Sequence, residues 1–269
     1  MVERKLYLLR WLRKVGLLRS RKIQAILKEL KKNTDLELTV SSRYGFKVHC
    51  DMKEWIDGHI FFYGEYEKRE SRFVSHILKS GDVFFDVGAN IGYYSMLASS
   101  RGCAVHAFEP VPSTYERLKA NAELNRYEWT CQNMGVSDQC GEIKIFMSPD
   151  TIGNNSADIV YDPDDYVLCE METIDNYCEE RGIEEIDFLK VDVEGHEMKV
   201  LEGARRLLLS NGIGMILVEV KGINLSPALK DLMLERFQPY IFGKNGIEKV
   251  DEMIETNLLL VRRTGPELL

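Results

Sequence analysis

Between Asp82 and Ser95 the chain reads Asp-Val-Phe-Phe-Asp-Val-Gly-Ala-Asn-Ile-Gly-Tyr-Tyr-Ser, and few folds accept such a stretch. The apolar run Val83 to Val87 suits a parallel strand buried on both faces. It breaks into a turn with Gly88, Asn90 and Gly92 at alternate positions. Glycine takes positive φ without penalty and asparagine is the next most tolerant residue, so the turn can bend sharply and bring backbone N–H groups to a ligand. A helix over 93–100 follows, then a strand over 104–108 that ends in Glu109, placed to accept hydrogen bonds from ribose hydroxyls. Strand, glycine turn, helix, strand and acid make the nucleoside-binding half of a doubly wound sheet.

The turn departs from the dinucleotide pattern. That fingerprint needs G-x-G-x-x-G, whose second glycine lets a pyrophosphate lie against the backbone, and here the pattern is G-x-N-x-G. Asp86 closes the strand just before the turn, where a carboxylate repels a pyrophosphate but can hold an ammonium. S-adenosylmethionine carries an ammonium, a cationic sulfonium and a ribose, and no phosphate. It fits better than NAD, which disfavours a dehydrogenase.

Four segments occur in order: Asp86 to Ser95, Ala107-Phe-Glu-Pro110, Asn133 to Asp138, and Asp187-Phe-Leu-Lys-Val-Asp-Val-Glu-Gly-His-Glu197. Together with Met171-Glu-Thr-Ile-Asp175 they resemble the FkbM family of S-adenosylmethionine-dependent O-methyltransferases, over about Gly64 to Arg262. The resemblance implies a class I methyltransferase: an α/β, Rossmann-like, doubly wound sheet of seven strands. It implies an acceptor hydroxyl on a sugar, a glycolipid or a polyketide-type molecule. Strands are expected at 83–87, 104–108, 128–134, 186–192 and 214–220, with helices at 93–100, 113–125, 173–181, 197–210 and about 226–236, and a closing hairpin at about 239–243 and 257–262.

Methyl transfer to an alcohol needs alignment of the acceptor oxygen and removal of its proton. Ligands of open α/β sheets bind at the carboxyl ends of the strands, so the tip of the fourth strand, Asp192 to Glu197, faces that oxygen. His196 is the expected base, because an unperturbed imidazole titrates near neutrality, with Asp192 and Glu194 positioning the methionine end, the acceptor or the imidazole. An ordering role for His196 is the alternative. A Mg²⁺ ion held by Asp192, Glu194 and Glu219 is a competing device. Asp86, Gly88, Asn90, Gly92 and Ser95 are expected around the methionine part and Glu109 on the ribose. Pro110 would wall the adenine, which Val136, Ser137 and Asp138 would meet after the third strand. By family resemblance Tyr66 and Glu67 would cover the cofactor. Asn154 and Asn155, in a long irregular insertion over 148–167, would face the acceptor.

Charge is uneven. Residues 1–33 hold eleven Lys/Arg against Glu3 and Glu29, a net +9 in a chain of −8, so the remainder carries −17. That acidic body argues against nucleic acid as a partner, and methylation of nucleic acid or protein, or a non-catalytic S-adenosylmethionine-binding module, ranks behind the O-methyltransferase. The basic segment reads as helical and divided near Gly16. It either packs on the enzyme's body or a second subunit of a homo-oligomer, or lies on an anionic membrane. Expected divisions are this extension (1–35), a small β-element and helix (36–80) and the methyltransferase domain (81–265). Six scattered cysteines without a C-x-x-C pair, no long apolar span and no signal-peptide pattern suggest a cytoplasmic protein, or one peripheral to the inner face of the membrane.

Overall fold

The computed structural model describes residues 2–14, 20–33, 36–149, 155–220, 226–244, 246–254 and 256–264. It opens with α1 (Val2–Lys14) and α2 (Ser20–Asn33), a hairpin of β1 (Glu37–Ser41) and β2 (Lys47–Asp51), then α3 (Trp55–Tyr63) and α4 (Lys68–Ile77). Strand and helix then alternate through β3 (Val83–Val87), α5 (Tyr93–Ser99), β4 (Ala104–Phe108), α6 (Pro112–Asn125) and β5 (Thr130–Gln132). An insert of β6 (Gly135–Val136), β7 (Gly141–Phe146) and β8 (Tyr166–Glu172) precedes α7 (Ile174–Arg181) and β9 (Ile186–Val191). The chain continues with α8 (Glu197–Glu202), α9 (Arg205–Leu209), β10 (Ile213–Glu219), α10 (Pro227–Arg236), β11 (Phe237–Phe242), β12 (Ile247–Lys249) and β13 (Asn257–Arg262).

The central sheet runs β12-β11-β13-β10-β9-β3-β4-β5. β10, β9, β3, β4 and β5 are parallel, whereas β13, β11 and β12 pair antiparallel. The class I order is present, but with eight strands instead of seven: short β12 extends the closing hairpin along β11. Successive side chains of a strand point to opposite faces, so Phe84 enters one apolar cluster with Met96, Phe188 and Leu217. Phe85 and Val87 enter a second with Leu189, Val191 and Leu260. Chain order reverses between β3 and β9, and that switch point leaves a crevice at their carboxyl ends.

Within 36–80 the β-element is followed by two helices, the first of them Trp55–Tyr63, closed by Gly64 at φ 74°. Two expectations fail locally. The expected helix over 197–210 breaks at Gly203 and Ala204, where a Cβ on Gly203 would lie 2.0 Å from the Ser137 carbonyl oxygen. Much of the 148–167 insertion is ordered too: its end joins the β7–β8 hairpin, and Ser156 bridges Phe146.

The amino-terminal helices share the core of the main sheet. Leu6, Ile23 and Leu27 belong to the cluster of Phe84 and Leu217. The Tyr7 ring meets Phe61 edge-on at 5.6 Å, and Arg10 sits 5.2 Å over the same ring. The outer side of α1 leaves Tyr7, Leu8 and Trp11 exposed, at 41%, 55% and 56%. Gly16 lies outside the described residues. Among the described residues no helix is long and apolar enough to cross a membrane, and all six cysteines are free thiols.

Candidate active site

The turn after β3 is held open by backbone packing. Gly88, Asn90 and Gly92 have φ of 76°, 51° and 84°. A Cβ on Gly88 would lie 1.9 Å from the carbonyl oxygen of Asp192, and one on Gly92 would lie 2.6 Å from Leu118 Cδ1. The glycines therefore answer to the tip of β9 and to α6 as well as to any ligand. Gly88 and Asn90 on one side, and Asp192 and Glu194 on the other, line two adjoining chambers.

The first chamber is walled by Pro110, Met134, Val136, Ile143 and Ile145, with Glu109 at its side. Glu109 is buried; its Oε2 accepts the Asn90 N–H at 2.9 Å and its Oε1 the Val111 N–H at 3.0 Å. Burial pushes its pKa up to about 7 against those two donors. Asn155 also lines this chamber. Its Oδ1 accepts the Ser148 N–H at 2.8 Å, while its Nδ2 is buried with no partner among the described residues.

The second chamber is charged. Asp86 and Lys190 stand opposite each other in the β3–β9 register, which puts both side chains on one face, beside Tyr66, Tyr93 and Tyr94. Asp86 Oδ2 accepts the Ser95 hydroxyl at 2.6 Å, but its Oδ1 is buried without a partner among the described residues. Burial raises the Asp86 pKa, opposed by Lys190 and by the Ser95 bond. Lys190 Nζ donates to Asp192 Oδ2 at 3.0 Å and lies 4.9 Å over the Tyr94 ring. Its burial works against the charge, yet Asp192, Asp86 and Glu67 outweigh that and hold its pKa above the ordinary lysine value. The Tyr94 hydroxyl donates to Glu67 Oε2 at 2.7 Å.

Beyond β9 the chain turns sharply, with Glu194 at φ 50° and Gly195 at φ 108°. The Glu197 carboxylate accepts the Val193 and Gly195 N–H groups at 3.2 and 3.1 Å and closes the turn. His196 is buried, and both ring nitrogens are engaged: Nε2 lies 2.9 Å from Ser137 Oγ and Nδ1 lies 2.6 Å from Asp158 Oδ2. An Nδ1–H donating to Asp158 leaves Nε2 to accept from Ser137. The Asp158 carboxyl is held below its usual range by that bond to His196. One carboxylate oxygen each from Asp192, Glu194 and Glu219 lie within 4.8 Å of one another.

The expected residues divide accordingly. Asp86, Gly88, Asn90, Glu109, Pro110, Val136, Asn155, Tyr66, Asp192, Glu194 and His196 line one chamber or both. Gly92, Ser95, Ser137 and Asp138 line neither. Gly92 packs on α6, Ser95 holds Asp86, and Ser137 holds His196, with Asp138 Oδ1 3.0 Å from the same hydroxyl. Asn154 lies outside the described residues. Sequence reasoning missed Lys190, Tyr94, Asp158 and the apolar pair Ile143 and Ile145. Lys190 had left a signal, as the lone basic residue in the otherwise apolar run Phe188 to Val191. Ile143 and Ile145 had left one in their alternation with Glu142 and Lys144.

A family model described as Methyltransferase FkbM domain matches residues 86–242. The 31-O-demethyl-FK506 methyltransferase FkbM of Streptomyces tacrolimicus is 34% identical over 157 residues, covering 47% of this chain and 60% of its own. The hexuronic acid methyltransferase AglP of Haloferax volcanii is 33% identical over 141 residues, covering 52% of this chain and 56% of its own. The chain thus spans less than two thirds of the length of either relative. Among solved structures, methyltransferase FkbM from Methylobacillus flagellatus KT aligns over 89% of this chain and 59% of its own, at 15% identity and a TM-score of 0.47.

Proposed function

The chain belongs to the FkbM methyltransferase family, and on that footing we propose that it is an S-adenosylmethionine-dependent O-methyltransferase acting on a hydroxyl of a sugar, glycolipid or polyketide-type acceptor. The observation that carries the reading is Asp86. A buried carboxylate oxygen without a partner is costly, and among the described residues Oδ1 of Asp86 is one, lining a chamber beside the glycine turn. The α-ammonium of the cofactor supplies the missing partner. Glu109 would take the ribose, and Pro110, Met134, Val136, Ile143 and Ile145 offer the adenine an apolar slot. An oxygen acceptor is favoured by the relative named for a 31-O position, and a sugar by the relative named for a hexuronic acid.

When bound, the cofactor supplies a methyl group activated by its sulfonium; the chain must orient the acceptor and take its proton. Asp192 and Glu194 are suited to orient the hydroxyl, since both line the junction of the chambers. Lys190 fixes Asp192 by a charge-assisted bond. His196 takes the proton at Nε2 once the acceptor hydroxyl replaces Ser137 there, and Asp158 steadies the resulting imidazolium through Nδ1.

The test measures S-adenosylhomocysteine binding by calorimetry and turnover on a sugar or lipid-linked acceptor pool with radiolabelled cofactor. His196→Ala should leave cofactor affinity nearly intact and lower turnover by about 10²-fold or more, the usual worth of a general base. Wild-type turnover would make His196 an ordering residue. Strict Mg²⁺ dependence abolished by chelation would transfer its role to Asp192, Glu194 and Glu219. Failure to bind S-adenosylhomocysteine would sink the whole reading.

A further inference from the structure

A cleft of about 810 Å³ opens beside α3 and α4, against about 70 and 100 Å³ for the two chambers of the candidate site. Five cations line it: Arg10 and Lys14 from α1, Arg43 from the β1–β2 turn, and Lys68 and Arg72 from α4. Among the described residues two carboxylates face them, Glu65 and Glu67. Glu65 is spent as a brace. It is nearly fully buried, accepts Arg43 Nη1 at 2.7 Å and the Tyr44 hydroxyl at 3.1 Å, and lies 3.5 Å from Arg72 Nε. Arg10 is tied as well, donating to the Ser41 carbonyl at 3.0 Å. Lys14 and Lys68 meet no carboxylate among the described residues. Like charges gathered round one cavity repel, and a surplus of about three positive charges in a chain of net −8 asks for an anion.

The cleft adjoins the candidate site. Tyr63, Gly64, Glu65 and Glu67 line it, while Tyr66, between them in sequence, lines the charged chamber. Glu67 also lines a recess with Lys190, Asp192 and Glu219. Along α3, His59, Phe62 and Tyr63 face the cleft, and Trp55 and Ile56 face the chamber.

We propose that this cleft holds a phosphate-bearing part of the methyl acceptor, a phosphate ester or diphosphate, whose hydroxyl portion extends along Gly64–Glu67 to the tip of β9. The proposal rests on the methyltransferase reading for its second half only. A single carboxylate would leave most of the surplus charge unmatched, whereas a diphosphate matches it. Arginines are suited to its oxygens by their planar fork of donors, and the two lysines that meet no carboxylate among the described residues by their point charge. The phosphate can belong to a soluble ester or to a lipid headgroup.

Calorimetry of the full chain with sodium pyrophosphate tests the cleft. Saturable binding that weakens with salt is expected. The double variant Lys14→Glu, Lys68→Glu should lose about tenfold or more in pyrophosphate affinity, the lower end for losing a hydrogen bond to a charged group, with S-adenosylhomocysteine affinity unchanged. No binding by the wild type, or equal binding by the variant, overturns the proposal. Pyrophosphate binding without S-adenosylhomocysteine binding keeps the cleft and removes the methyltransferase reading; the converse removes the cleft alone. Co-sedimentation with phosphatidylcholine vesicles, with and without phosphatidic acid, names the source. Retention on the acidic vesicles that pyrophosphate reverses supports a lipid phosphate, and absence of retention a soluble one.

Discussion

The two chambers meet across Gly88 and Asn90, yet they are built on opposite principles. One is an apolar slot with a single buried acid, and Glu109 is satisfied there by two backbone N–H groups. The other encloses Lys190 among Asp86, Asp192 and Glu67, with Asp86 left one donor short among the described residues. The first can recognise a flat ring by shape, and its loss of a methyl group costs little. The second stores its selectivity in charge, where removing one member strands the others away from water.

Lys190→Met should break that contrast most severely. It keeps the bulk of the side chain and leaves three acids without their cation. Removing one partner of a buried pair costs about 3–5 kcal/mol, and urea denaturation would read it as a lowered midpoint. The loss should deepen at high pH, because the stranded carboxyls then fold best when protonated. An unchanged midpoint would mean that solvent, not Lys190, compensates the acids.

Glu109→Ala should weaken S-adenosylhomocysteine binding by about 1.5–3 kcal/mol, the range for a hydrogen bond to a charged group. The pH profile sharpens this. The pKa of Glu109 in the folded protein, about 7, lies above the ordinary carboxylate value. Folding therefore favours its protonated form, and its contribution to stability declines as pH rises from the ordinary value towards 7. Ribose hydroxyls instead prefer the ionised acceptor, so cofactor affinity should climb through the same window. Glu109→Gln should reduce the slope in calorimetry run from pH 6 to 8, and an identical slope would remove Glu109 from the ribose. Smallest of all, Ile145→Val in the apolar slot should cost about 0.5–1.5 kcal/mol of stability with a modest fall in cofactor affinity. A loss as large as that at Lys190 would erase the distinction between the chambers.

The ends of β3 and β4 were legible to the residue because Val83–Val87 and Ala104–Phe108 are apolar runs bounded by turn residues. α3 was not. Its segment, Trp-Ile-Asp-Gly-His-Ile-Phe-Phe-Tyr, is apolar on most sides, and no side chain caps its start, so neither a helical stripe nor a cap signal marks it. The β7–β8 hairpin was obscured by the 148–167 stretch, whose polar residues suggested a loop. Within the site, motif residues such as Asp86, Asn90, Glu109 and Asp192 could be named from their place at strand tips. The partners of His196 could not: Ser137 lies 59 residues away and Asp158 lies 38, and only the closed sheet brings the three together. The cleft cations are similarly dispersed, from Arg10 to Arg72, across elements whose contacts no periodicity encodes.

The contact between Gly88 and the Asp192 carbonyl has a consequence for how such a protein can change. Residues more than a hundred positions apart touch main chain to main chain, with no side chain between them to absorb a shift. A shift of the first loop is passed directly to the second, so the glycine turn and the tip of β9 behave as one mechanical part. The wall formed by α1, α3 and the Gly64–Glu67 segment is tied in by side chains instead, as where the Tyr94 hydroxyl donates to Glu67 and where Leu6 and Phe61 join the apolar cluster of Phe84. Changing side chains on that wall should leave the register of the glycine turn against β9 untouched, whereas lengthening the glycine turn by a single residue would displace both together.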